Sequence, residues 1–152
     1  MPARTAAGIA IAISLFVGPP LAAQTLMTDK DGSCKMTLPV GWRPTFARYV
    51  AKGPEHSTAT LANTLTSGDW RRDKEVMTEN YPSARIVEDD ANLFVIEVPS
   101  TSEGNYQLLV FNAPTPTHRV YCWASFDATA NDGHARHFDT FMRIASTIAP
   151  AK

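Results

Sequence analysis

The sequence predicts an α+β fold: an α/β/α sandwich with a central antiparallel sheet and helices covering both of its faces. Three observations predict it. Four strand-like runs, 84–88, Leu93–Val98, 106–112 and 118–126, follow one another with short connectors. Parallel neighbours need a crossover of about a dozen residues or more, so these four must form an antiparallel meander. Second, Leu93-Phe94-Val95-Ile96 and Leu108-Leu109-Val110-Phe111 are apolar at consecutive positions, so both faces of the sheet need cover. Third, two amphipathic segments, one after Ser67 and one after Asp132, can supply it.

The chain opens on a segment laid out for removal. Arg4 makes a short basic region, residues 6–17 are an apolar run, Pro19-Pro20 breaks the helix, and Leu21-Ala22-Ala23 ends in a small residue. That is a secretory signal peptide over residues 1–23, too short for a comfortable membrane span. An uncleaved anchor is the alternative, since Leu21 stands where a smaller residue is usual. Cleavage leaves residues 24–152 as one globular domain, with no internal repeat or linker between 30 and 148. The whole chain carries 14 basic and 15 acidic side chains; removing Arg4 brings the formal charge from −1 to −2. Such a balance argues against nucleic acid as a partner and against affinity drawn from anionic lipid. No later apolar stretch reaches the roughly 18 residues of a membrane candidate, so no stable insertion is expected after cleavage. A periplasmic or secreted location follows, in a compartment that lets cysteines pair.

The first strand is expected at Cys34–Leu38, where Cys34, Met36 and Leu38 alternate with Lys35 and Thr37. Pro39-Val40-Gly41-Trp42 breaks it, and 43–50 reads either way. Thr58–Leu65, rich in Thr and apolar residues, reads as a strand. Ser67 or Asp69 can cap a helix running to about Asn80, and Pro82 stops it; Trp70, Met77 and Tyr81 share one side. After the meander, Phe138, Phe141, Met142, Ala145 and Ile148 make one apolar stripe of a last helix, with Pro150 as its terminator.

The strand followed by Leu38-Pro39-Val40-Gly41-Trp42 resembles the opening of PsbP-like and DcrB-like domains. The close is similar too: a Cys122-bearing strand, a loop, then a helix ending Phe141-Met142-Arg143-Ile144-Ala145-Ser146-Thr147-Ile148. The resemblance covers residues 34–148. It implies the same α/β/α sandwich, used mostly by accessory and binding proteins, including photosystem assembly subunits, a nuclear Ran-binding factor and bacterial periplasmic proteins. That family shares no catalytic constellation, so the resemblance carries over no catalytic residue.

Several groups invite a chemical reading. Cys34 and Cys122 both fall on apolar strand faces, which favours a structural disulfide; two free thiols or a redox pair are the alternatives. Closing a loop of about 90 residues stabilises the fold through chain entropy. His134 and His137, with Asp132 before and Asp139 after, could hold a metal, but no third ligand stands at a recognised spacing, so exposed helix histidines are expected and no metal or other cofactor. His118, Ser125 and Asp127 supply the residue types of a triad without a nucleophile elbow, since Ser125 lies inside a strand run. Glu88, Asp89 and Asp90 read as a solvated hairpin tip before they read as acid–base carboxylates.

The aromatics are the better binding signal: Trp42, Trp70, Tyr106, Tyr121 and Trp123. Tyr121 and Trp123 fall opposite Cys122, with Arg119 on the same face. If the Trp70 helix covers that face, they are core; if it covers only part, Arg119, Tyr121, Trp123 and Trp70 line a groove for a small ligand or a peptide. The expected function is an exported accessory or binding protein, without catalytic activity, acting through that face on a protein or small-molecule partner. A small periplasmic hydrolase or metal-dependent enzyme is the alternative, as is a secreted inhibitor or host-interaction protein.

Overall fold

The computed structural model describes residues 23–98, 104–117, 119–129 and 133–151. Residues 1–22 of the signal segment, His118 and Asp132 lie outside the described residues. The strands are β1 (Thr25–Thr28), β2 (Cys34–Leu38), β3 (Arg43–Pro44), β4 (Val50–Lys52) and β5 (Thr58–Leu65). After helix α1 (Trp70–Asn80) come β6 (Arg85–Asp89), β7 (Leu93–Val98), β8 (Asn105–Asn112) and β9 (Val120–Thr129). Helix α2 (Gly133–Ala145) and β10 (Ala149–Pro150) close the chain.

Two sheets form. The larger has seven strands in the order β3-β4-β5-β9-β8-β7-β6, and the smaller has the order β1-β2-β10. The expected meander is present: β6, β7, β8 and β9 are consecutive antiparallel neighbours, with Val95 opposite Val110 and Val110 opposite Ala124. The central pair carries apolar residues on both sides because each side has its own core. On one side Val95, Leu108, Val110, Ala124 and Phe126 are buried; on the other Phe94, Ile96, Leu109, Phe111 and Tyr121 are.

The sandwich expectation needs correction. The molecule is mostly strand, in two sheets, and is not a single sheet with helices covering both faces. On the first face, α2 shares the cover with the three-stranded sheet, whose Met27, Cys34, Met36 and Leu38 point into the core. On the second face, α1 lies over the middle and leaves flanks open. The reason for the difference is local. Strands β1 and β10 are four and two residues long, below the length at which alternation identifies a strand, yet they flank β2 and turn it into a sheet. Pro150 is therefore not the helix stop: α2 ends at Ala145, and Pro150 pairs with Cys34.

Cys34 and Cys122 form a disulfide with Cα atoms 5.7 Å apart. It ties the smaller sheet to the larger one across the core. Around it stack Phe126 on Phe141 (5.1 Å between ring centroids) and Tyr106 on Phe141 (6.1 Å), with Trp42 edge-on to Phe141 (6.2 Å). Gly133 opens α2 where a Cβ would meet Cβ of Tyr106 at 2.5 Å, so only glycine lets the helix settle this close to β8. No helix among the described residues is long and apolar enough to cross a membrane.

Candidate functional site

The open aromatic face is built by α1. Asp69 caps that helix, its carboxylate accepting from the backbone N–H groups of Arg71 (3.0 Å) and Arg72 (3.3 Å). Inside the first turn, buried Asp73 accepts from Thr66 Oγ1 (2.5 Å) and from the Ser67 N–H (3.0 Å), fixing the helix to the end of β5. Burial pushes the Asp73 carboxyl up, but these hydrogen bonds outweigh it and hold it below the ordinary range. Met77 is then the buried hydrophobic residue of α1, packed against Phe94, Ile96, Leu109, Phe111 and Tyr121.

One helix of 11 residues cannot roof seven strands. On the β5–β9 side it leaves a groove of about 270 Å³, walled by Trp123, Tyr121, Phe111, Tyr81, Met77 and Val76, with Thr64 and Asn80 as its polar members. Trp123 stacks on Phe111 (5.7 Å, planes 25° apart), and its indole N–H donates to Thr64 Oγ1 at 3.0 Å. The ring is thus held by two independent contacts while one face stays open. Trp70 packs on Tyr121 (5.7 Å). Burial raises the Tyr121 phenol; the Thr64 hydrogen bond pulls it down and the Asp73 charge raises it again, so it stays protonated.

Of the residues expected at this face, Tyr121 and Trp123 line the groove, while Trp70 packs on Tyr121 outside its lining. Arg119 is exposed at the edge, its carbonyl accepting from the Thr66 N–H, and does not line the groove. Trp42 and Tyr106 are core residues of the opposite face. Phe111, Met77, Val76 and Tyr81 complete the groove. Phe111 was hidden because its run is apolar throughout; Tyr81 already shared a helix side with Trp70 and Met77.

The other chemical candidates separate. His134 bonds the Glu97 carboxylate, while His137 is buried, stacked on Phe141 at 5.3 Å, with Nε2 3.7 Å from Glu55. Among the described residues no three His, Cys, Asp or Glu side chains converge as metal ligands, and Asp139 is exposed. Ser125 and Asp127 do meet, Ser125 Oγ donating to Asp127 Oδ2 at 3.0 Å, but their neighbour is the Gln107 amide; His118 lies outside the described residues. In the acidic run, Asp89 pairs with Lys74, and Asp90 accepts from the backbone N–H groups of Asn92 and Leu93, both at 2.6 Å, as a turn carboxylate does.

One polar centre escaped the sequence reading. Glu97 is 1% exposed in the apolar run of β7, and its carboxylate bonds both Arg85 and His134. Burial raises this carboxyl, yet the bonds from His134 and Arg85 outweigh it and hold it below the ordinary carboxylate range. The visible signal was a lone acid among Leu93, Phe94, Val95, Ile96 and Val98, which must find partners if buried.

Comparison with protein-family models and with curated proteins found no match. Among solved structures, the chain is similar to cyanobacterial PsbP (CyanoP) from Synechocystis: TM-score 0.50, 14% identity, with 89% of this chain and 95% of that one covered. The fold is PsbP-like. The likeness bears on the PsbP side of the family resemblance and not on DcrB specifically.

Proposed function

We propose that this chain is an exported accessory protein without catalytic activity, which binds a partner through the partly covered aromatic face beside α1. The observation that carries the reading is the open groove at Trp123: its aromatic walls are fixed in place, and nothing among the described residues fills it. At about 270 Å³ it is smaller than the roughly 300–1,000 Å³ of sites for drug-sized ligands. It suits one ring-bearing group, as an aromatic side chain of a partner would offer. Apolar walls with two polar members give binding through burial and ring stacking, with little to polarise a bond. A PsbP-like fold is compatible with an accessory role, and the signal segment with export to the periplasm.

The test is a calorimetric titration of the protein with N-acetyltryptophanamide and with short peptides bearing one Trp or Phe. The expected result is saturable binding that Trp123→Ala weakens at least tenfold while the thermal unfolding midpoint barely moves. Equal affinity of the variant and the parent would remove the groove from the account.

A further inference from the structure

The hairpin β3–β4 projects from the edge of the seven-stranded sheet farthest from β6. Its tip is a defined turn: the Thr45 N–H donates to the Val50 carbonyl (2.7 Å), the Val50 N–H to the Ala47 carbonyl (2.7 Å), and Thr45 Oγ1 also to Ala47 (3.1 Å). This turn holds up Phe46, whose relative exposure is 105%; no other large apolar residue of the described chain stands so free of its neighbours. A lone exposed apolar residue is common on a protein surface; Phe46 is set apart by full exposure on a hydrogen-bonded tip flanked by basic side chains.

The hairpin's own charge is one-sided, with Asp31 near Tyr49 and Glu55 near Lys52 as the acidic side chains beside it. Residues 43–52 hold Arg43, Arg48 and Lys52 and no acidic side chain, in a chain whose total charge is −1. All three cations are exposed, and among the described residues none has an ion-pair partner. Arg43 stands directly opposite Lys52 across the β3–β4 ladder, a like-charge pair that works against the hairpin unless an anion lies outside it. The near-neutral total conceals this local concentration. The register adds more: β4 runs antiparallel to β5, so the tip points toward the end of the sheet where Leu65, 74% exposed, and Arg119 lie.

We propose that this hairpin is a docking tip for an anionic lipid surface, with Phe46 entering the interfacial layer and Arg43, Arg48 and Lys52 held at the level of the phosphate groups. A convex tip carrying a single ring offers far less than the roughly 800 Å² per partner of a stable protein interface. Lipid needs no shape complementarity, and its affinity comes from just these two terms, buried apolar surface and attraction of basic side chains. The binding is peripheral and reversible. It is independent of the groove at Trp123, which shares no residue with the hairpin.

The experiment compares the parent chain with Phe46→Ala, with the double variant Arg43→Gln and Arg48→Gln, and with Phe46→Trp. All share one N-terminus, verified by intact mass, so any contribution from residues 1–23 cancels. Binding is measured to vesicles of phosphatidylglycerol and phosphatidylcholine, to phosphatidylcholine alone, and to soluble polyglutamate. On the anionic vesicles, Phe46→Ala should weaken partitioning about tenfold, and the double variant about fivefold per arginine. Raising NaCl from ~50 to ~500 mM should weaken the parent by a comparable factor. In Phe46→Trp, the added indole emission should shift blue and be quenched by brominated acyl chains. That readout is local to the tip. An added emission that keeps its water-exposed wavelength on anionic vesicles, in a variant with unchanged near-UV circular dichroism, overturns the proposal. A shift with polyglutamate and none with vesicles also overturns it, in favour of an acidic polypeptide partner.

Discussion

Glu97 shows how one side chain can hold several elements. Its carboxylate sits on β7 in the larger core and bonds Arg85 of β6 and His134 of the first turn of α2. The partners are half exposed, with 64% of the Arg85 and 53% of the His134 side chain open to water, while Glu97 is 1% open. The carboxylate is therefore the member that depends on the pair. Its folded-state value lies below the ordinary 4.5, so ionised Glu97 contributes stability above that pH. The contribution is lost as pH falls through the lower folded value. Asp73, also held below its ordinary value, acts in the same direction. Thermal unfolding followed from pH 6 down to pH 3 should show a falling midpoint, with a shallower fall in Glu97→Gln. At neutral pH the same variant should lose about 1–3 kcal/mol, the cost of giving up charged hydrogen bonds at a buried site. A pH profile identical to the parent's would show that Glu97 carries none of the acid sensitivity.

Each helix is placed by the local contacts of a few residues. Helix α2 lies against β8 because Gly133 presents no Cβ to Tyr106. Gly133→Ala, at the first residue of α2, gains less than the about 1 kcal/mol of an interior position and drives a methyl to 2.5 Å from Cβ of Tyr106, an atom fixed to the backbone. Overpacking should win, with a net loss of about 1–3 kcal/mol in urea denaturation; a stabilised variant would mean the helix can shift without cost. Helix α1 is started by its Asp69 cap and tied to the end of β5 by Asp73. Asp69→Ala should cost about 1 kcal/mol and raise amide exchange in the first turn of α1, with the exchange of β7 and β8 unchanged. Because α1 is one wall of the aromatic groove, that variant should also weaken aromatic-probe binding more than its stability loss alone explains.

Across the whole molecule, the disulfide joins two sheets whose strands are 88 residues apart in sequence. Replacing both cysteines, Cys34→Ser with Cys122→Ser, should lower stability by about 2–5 kcal/mol, read as the difference in urea midpoint between oxidised parent and variant. The cysteine pairing was legible because each thiol shares a strand face with apolar residues, Cys34 with Met36 and Leu38, Cys122 with Val120 and Ala124. The meander was legible for the same kind of reason, since strand-like runs of five to ten residues with short connectors leave one arrangement. The smaller sheet was not. Thr25–Thr28 and Ala149–Pro150 become strands only because β2 lies between them, a long-range pairing without local pattern. The same limit applies to the candidate site. Trp123, Tyr121 and Trp70 could be placed on one face from alternation, but how far α1 covers them depends on helix length against sheet width, and Arg119 fell outside for want of a groove reaching β9's first residue.

Trp123 borders an open groove, whereas Trp42 is core. The indole N–H signals of the ¹⁵N-labelled protein separate these two residues directly. On addition of N-acetyltryptophanamide, the Trp123 signal should shift saturably and vanish from the spectrum in Trp123→Phe, with the Trp42 signal stationary. A Trp123 signal that moves no further than that of Trp42 across the titration would contradict the account.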